Sequence, residues 1–170
     1  MGGLRQFGAL MLGLAAALPS GTYAGGVPGT KERITFEGLV GRHEMRPPGD
    51  YDGFGWLNIE AIGKGLYRDK QGFHAVLKGK VAAANLDGNG LIGRDDGSNF
   101  TFRSGHFAAF GNSSVVVVFN AYRQGVVVGS VEMTIQPADT LVQFDKSFSH
   151  IDRFEIQSGI VAFDNLHLSF

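Results

Sequence analysis

The longest unbroken pattern of apolar and polar positions runs over residues 114–135, SVVVVFNAYRQGVVVGSVEMTI, and predicts two long strands joined by a tight turn. Residues 115–119 form an apolar run rich in β-branched side chains, which suits a strand covered on both faces. Arg123-Gln124-Gly125 supplies a glycine-containing reversal before Val126, Val127 and Val128. Beyond Gly129 the pattern changes: Ser130, Glu132 and Thr134 alternate with Val131, Met133 and Ile135, as on a strand with one wet face. The hairpin is therefore expected to begin buried and end half exposed. So much apolar surface needs a second layer, and the chain offers strands rather than helices to supply it.

The first further strand is expected at 33–40 (RITFEGLV), and shorter ones at 73–77, 81–85, 100–103 and 106–110, each bounded by Gly, Asn or Asp. Residues 41–53 carry Pro47, Pro48 and three glycines and read as a loop running into Phe54-Gly55-Trp56. No apolar period of 3.6 is sustained after Lys31, so the spacing indicates one all-β domain, a sandwich or barrel. Near the C-terminus, residues 150–157 alternate Ile151, Arg153 and Glu155 against Asp152, Phe154 and Ile156. In the closing IVAFDNLHLSF, an unbroken strand points Asp164 the same way as Ala162, Leu166, Leu168 and Phe170. That phase predicts a carboxylate on the core face.

The first 24 residues stand apart. Arg5 precedes an apolar, small-residue stretch over 7–18, and Thr22-Tyr23-Ala24 ends in the small residue a signal peptidase requires. The expected organisation is a signal peptide over 1–24, a flexible leader over 25–31 and a β-sandwich domain over 32–170. The apolar stretch is too short for the roughly 20 residues that cross a bilayer, so no membrane span is expected and the mature protein reads as secreted or periplasmic. Cleavage would remove Arg5 alone among the charged residues and leave a net charge of −2, spread without blocks. Nucleic acid and anionic membranes are poor partners for such a surface. The chain has no Cys, so its stability outside the cytoplasm must come from the core, with or without help from a metal.

Four segments, ITFEGL, YDGFGW, VVVVFNAYRQGVVVGS and GIVAFDNLHL, give most of the chain from Ile34 to Phe170 a resemblance to secreted β-sandwich domains of bacterial exported proteins, often those with a C-terminal sorting tail of the PEP-CTERM type. Those domains are similar to galactose-binding-like and MAM-type jelly rolls. The resemblance implies a two-sheet antiparallel β-sandwich in which an acidic residue of the first strand and an Asp of the last share a structural calcium. Here those positions are Glu37 and Asp164. The chain ends at Phe170 without the tail, so the resemblance does not imply anchoring.

Several residues invite chemistry. A carboxylate among Leu and Phe needs a cation, a set of N–H donors or a proton, so Asp164 is either a calcium ligand or a cap of loop amides. The run from Asn85 through Asp87, Asn89 and Asp96 has the oxygen spacing of a calcium loop, but neutral Asn at two positions and the lack of flanking helices favour a Gly-rich turn. Tyr51, Asp52 and Trp56 could stack on and hydrogen-bond a sugar, or Trp56 could simply be core. His43-Glu44 is no zinc-protease helix, because Pro47 fills the second His position. Asp152 and Glu155 face opposite sides and make no glycosidase pair. A lyase would want a Tyr/His/Arg cluster on the concave sheet, for which Tyr122, Arg123 and His106 are the candidates. These features lead to the expectation of a non-catalytic protein binding glycan or a cell-surface polymer, with a structural or adhesive role as the alternative and a lyase or hydrolase behind both.

Overall fold

The computed structural model describes residues 31–170; the expected signal peptide and all but the last residue of the expected leader lie outside them. Thirteen strands are present among the described residues: β1 Lys31–Ile34, β2 Met45–Arg46, β3 Asp50–Tyr51, β4 Phe54–Leu57, β5 Glu60–Gly63, β6 Val81–Ala84, β7 Gly90–Arg94, β8 Thr101–Ala109, β9 Val115–Arg123, β10 Val126–Ile135, β11 Thr140–Gln143, β12 Arg153–Gln157 and β13 Val161–Ser169. One short helix, α1 Gln71–Val76, interrupts them. They form the expected two-sheet antiparallel β-sandwich. One sheet runs β11-β8-β13-β6-β5-β2, with β1 sharing the edge of β13 beyond β6; the other runs β10-β9-β12-β7-β4-β3.

Aromatic rings fill the space between the sheets. Phe102 of β8 stacks on Phe154 of β12 with centroids 4.0 Å apart and planes 10° from parallel, and Phe119 lies against Phe154 at 5.7 Å. Phe107, Phe163 and Phe36 extend the same layer, so inward-facing positions of both sheets interdigitate.

Several expectations shift. Residues 115–119 are not covered on both faces: Val117 and Phe119 are buried, whereas Val116 is 51 % exposed, because only the other sheet covers this strand. Val126, Val127 and Val128 lie in the open at 64, 48 and 37 %. The apolar start of β10 is thus the exposed tip of the hairpin, beside a two-residue turn in which Gln124 and Gly125 take φ of 51° and 77°. The alternation of Val131, Met133 and Ile135 into the core holds.

Of the strand expected at 73–77, residues 73–76 are helical and only Leu77 is extended. Phe73 and Val76, three apart, form one buried face of α1 and pack on the outer side of the first sheet against Ala82, Ala84, Ala108 and Ala162. Small alanines on that face leave the helix room, and at Gly72 a Cβ would fall 1.6 Å from the Ala109 carbonyl oxygen. Residues 100–103 and 106–110 merge into the single strand β8, and the first strand is shorter than expected, starting at Lys31 and ending at Ile34. The loop over 41–53 contains two two-residue strands, β2 paired with β5 and β3 paired with β4.

The phase of Asp164 is the most consequential correction. Asn165 adopts φ 51° and the pairing of β13 with β8 slips between Asp164 and His167. This bulge resets the alternation. Phe163, Leu166 and Leu168 face the main core, while Asp164 shares with Ala162 the outer face that α1 partly covers.

Candidate functional site

The outer face of the β10-β9-β12-β7-β4-β3 sheet carries the most organised polar chemistry. Phe119, Ala121, Phe154 and Ile156 point inward, which obliges Asn120, Tyr122, Arg153, Glu155 and Gln157 to point out. Asn120 Nδ2 donates to Glu155 Oε2 at 3.0 Å and to Gln157 Oε1 at 2.9 Å, and its Oδ1 accepts from Ser130 Oγ at 2.7 Å. Tyr122 donates its hydroxyl to the same Glu155 oxygen at 2.6 Å. That bond to Glu155, with burial behind it, pushes the Tyr122 phenol above its ordinary value, so it stays a neutral donor. The Arg153 guanidinium lies 4.1 Å from the Tyr122 ring centre, and its Nε is buried with no hydrogen-bond partner among the described residues. Three strands are thereby linked by side chains whose orientations are set in advance of any ligand.

Beside this network the face is hollow. Arg153 pairs with Gly93, Gly93 with Gly55 and Gly55 with Asp50, so two successive positions in the row have no side chain. A Cβ on Gly55 would meet Asp95 Oδ1 at 3.2 Å, which places that carboxylate over Gly55 and closes that end of the bare row. Burial, with Asp50 and Asp96 nearby, holds the Asp95 carboxyl above its usual range. In the next row Glu155 pairs with Leu91, and Leu91 with Leu57, which is 57 % exposed. The outcome is a trough floored by glycine, walled by Arg153 and Tyr122 on one side and by Asp50 and Asp95 on the other, with apolar surface alongside.

The residues singled out from sequence lie elsewhere. Trp56 is 7 % exposed, sits edge-on to Phe36 at 5.2 Å, and donates Nε1 to the Tyr51 carbonyl at 3.1 Å. Its ring faces the core and offers no face to a sugar. Tyr51 donates its hydroxyl to the Thr35 carbonyl at 2.8 Å. Asp52 and Gly53, with φ of 54° and 73°, make the two-residue turn between β3 and β4.

Glu37 and Asp164 do approach one loop. Glu37 Oε1 accepts from Lys80 N at 2.6 Å and Val81 N at 3.1 Å, and Asp164 accepts from Lys78 N at 3.4 Å and Asn165 N at 2.7 Å. Asp164 is 2 % exposed, and burial raises its pKa, with Glu37 adding to the rise and the two amides opposing it. The Asn85 run does not converge on a point: Asn85 is buried and bonds Gly88 O, Gly159 O and Val161 N, while Asp96 turns to Arg94 and Ser98. It forms a turn, as expected on composition. Tyr122, Arg123 and His106 are not assembled either. Arg123 binds the carbonyls of Ser149 and His150, and His106 stands on the other sheet, its Nδ1 2.7 Å from Asp139 Oδ1.

No protein-family model and no curated protein matches the chain in sequence. Its fold is similar to that of a DUF4465 family protein from Bacteroides caccae, with a TM-score of 0.55 and 11 % identity over 82 % of this chain and 98 % of that one. Weaker likenesses are to an agarase (TM-score 0.40, 12 % identity, 74 % of this chain and 24 % of that one) and to the carbohydrate-binding module TmCBM61 in complex with β-1,4-galactotriose (0.37, 14 %, 79 % and 92 %). At these identities the likeness is one of fold, and the class defined is a two-sheet β-sandwich with a pre-ordered polar trough on one open face.

Proposed function

We propose that the protein is an exported, non-catalytic β-sandwich that binds a glycan along the trough of its β10-β9-β12-β7-β4-β3 sheet. The observation that carries this reading is the network of Ser130, Asn120, Tyr122, Glu155 and Gln157 beside the Gly93–Gly55 floor. A sugar ring presents hydroxyls around an apolar C–H face. Glu155 and Gln157 accept from hydroxyls, Arg153 donates to them, and Leu57 with Leu91 receives the C–H face, the pairing of apolar wall and few oriented polar groups that small ligands require. Because the side chains already hold one another, little rotamer freedom is lost on binding. Glu155 commits one oxygen to Asn120 and Tyr122, which suits an acceptor rather than a proton shuttle.

Calcium at Glu37 and Asp164 belongs to the proposal as a structural ion that would tie the two ends of the domain. Both reach the loop over 78–81, although its amides already cap them, Glu37 Oε1 by Lys80 N and Val81 N and Asp164 Oδ2 by Lys78 N. An ion would therefore need Glu37 Oε2 and loop carbonyls to complete a six- to eight-fold shell. An adhesive role without a small ligand is favoured by one feature, the bare Val126-Val127-Val128 tip.

The test is retardation of the purified domain in gels containing galactan, agarose, xylan or mixed-linkage β-glucan. Retardation by at least one polysaccharide, lost in Arg153→Ala and Glu155→Ala at unchanged melting temperature, is expected. Free migration in all of them would leave the adhesive reading.

A further inference from the structure

On the other sheet, a groove of about 580 Å³ is lined by Glu37, Val40, Arg42, Lys64, Lys80 and Val81, together with two glycines. The cations come together because the backbone is clamped there. Lys64 N donates to Lys80 O at 2.8 Å and Gly65 N donates to Arg42 O at 2.6 Å, so the three basic residues are fixed to one another through their main chains. The clamp depends on missing side chains. A Cβ on Gly63 would fall 2.0 Å from the Gly41 carbonyl oxygen, and one on Gly65 would fall 2.4 Å from the His43 ring.

None of Arg42, Lys64 and Lys80 belongs to an ion pair among the described residues. The two acids at hand are turned to main-chain donors: Glu37 to Lys80 N and Val81 N, and Glu44 to Gly41 N at 2.7 Å. Glu37 answers part of this charge, and three cations against one lining carboxylate leave the groove net positive on a chain of net charge −1. Val40 adds one half-buried apolar side chain to the lining, while Val81 is 1 % exposed and belongs to the core beneath.

We infer that this groove is a second binding site, taking the anionic group of an acidic polysaccharide, with Arg42, Lys64 and Lys80 around the carboxylate or sulfate and the sugar ring against Val40. The Arg42 fork can take such a group bidentately, and the two ammonium groups serve as point charges. The inference is independent of the sheet-face trough and survives its failure.

Polygalacturonate, carrying uronate carboxylates, and heparin, carrying sulfates, are titrated into the full mature chain by calorimetry, with neutral galactan alongside. At least one polyanion is expected to bind, with affinity falling about tenfold between ~0.05 and ~0.3 M NaCl. Lys64→Gln with Lys80→Gln should weaken it about tenfold, as the loss of two exposed ion pairs implies, and Arg42→Gln should do so separately in case the double variant melts early. Which polyanion binds identifies carboxylate or sulfate as the preferred group. Lys146→Gln, at an exposed cation that belongs to neither site, should leave polyanion binding unchanged. Absence of binding to both polyanions, or binding indifferent to Lys64, Lys80 and Arg42, overturns the inference.

Discussion

Replacing Trp56 by Ala separates packing from recognition at the one residue that composition alone would assign to a sugar. Trp56 is the sole Trp of the chain, 7 % exposed, with Phe36 at 5.2 Å and Phe54 at 6.2 Å. Truncation of a buried Trp costs about 3–5 kcal/mol in lost transfer and residual cavity. The Phe36 edge contact and the hydrogen bond to the Tyr51 carbonyl, each worth about 1 kcal/mol, place Trp56 toward the upper end of that range. Against a total stability of roughly 5–15 kcal/mol, such a loss is large. At roughly 2–4 °C per kcal/mol for a domain of this size, the melting temperature should fall by about 10 °C or more. Circular dichroism is the appropriate probe, since the variant has no indole fluorescence. Below its melting point the variant should retain glycan binding within a few-fold. A Trp56→Ala protein that melts with wild type but no longer binds any polysaccharide would refute the assignment of this ring to the core.

Asp164 gives a signed pH test. A carboxyl whose pKa rises on folding holds its proton more tightly in the native state, so it favours the fold as pH drops through the native pKa and opposes it above. In EDTA, Asp164→Asn is therefore expected to melt at or above wild type at pH 7, with the gap closing toward pH 4. If calcium bridges Glu37 and Asp164, wild type should gain about 2.7 kcal/mol at 100 times the dissociation constant, and Asp164→Asn should lose that gain while Asp87→Asn keeps it. Identical wild-type melts with calcium and with EDTA would remove the ion. Gly72→Ala must push α1 off the Ala109 carbonyl and should cost about 1–3 kcal/mol in urea unfolding; an unchanged midpoint would contradict the close approach.

The fold class was legible because period-two alternation and Gly- or Asn-bounded runs survive in single sequences. What was hidden depended on partners distant in sequence. Phe73 and Val76 read as strand until the alanines of β6, β8 and β13 supply the flat surface on which a short helix can lie. The run over 115–119 is apolar on both faces, yet only one face has a sheet to cover it. One residue of bulge at Asn165 sets Leu166 and Leu168 on the face opposite Asp164, which no alternation rule anticipates without the φ of Asn165. The trough escaped for a related reason. Asn120 and Tyr122 do alternate with Phe119 and Ala121, but their neighbours Arg153, Glu155 and Gly93 come from strands 30 or so residues away, as the pairing of β9, β12 and β7 shows. Aromatic residues drew attention to Tyr51, Asp52 and Trp56 instead, where the chain uses them for turn and core.

The most direct test of the central claim is amide chemical-shift mapping of the 15N-labelled domain during titration with whichever of the four gel-tested polysaccharides retards it, supplied as short oligosaccharides. The glycan reading predicts that the shifted resonances cluster on Gly55, Gly93, Asn120, Tyr122, Arg153 and Glu155, across the four strands β4, β7, β9 and β12, with Trp56 and the loop over 78–81 unmoved. Shifts confined to any other surface, or none at millimolar oligosaccharide, would contradict it.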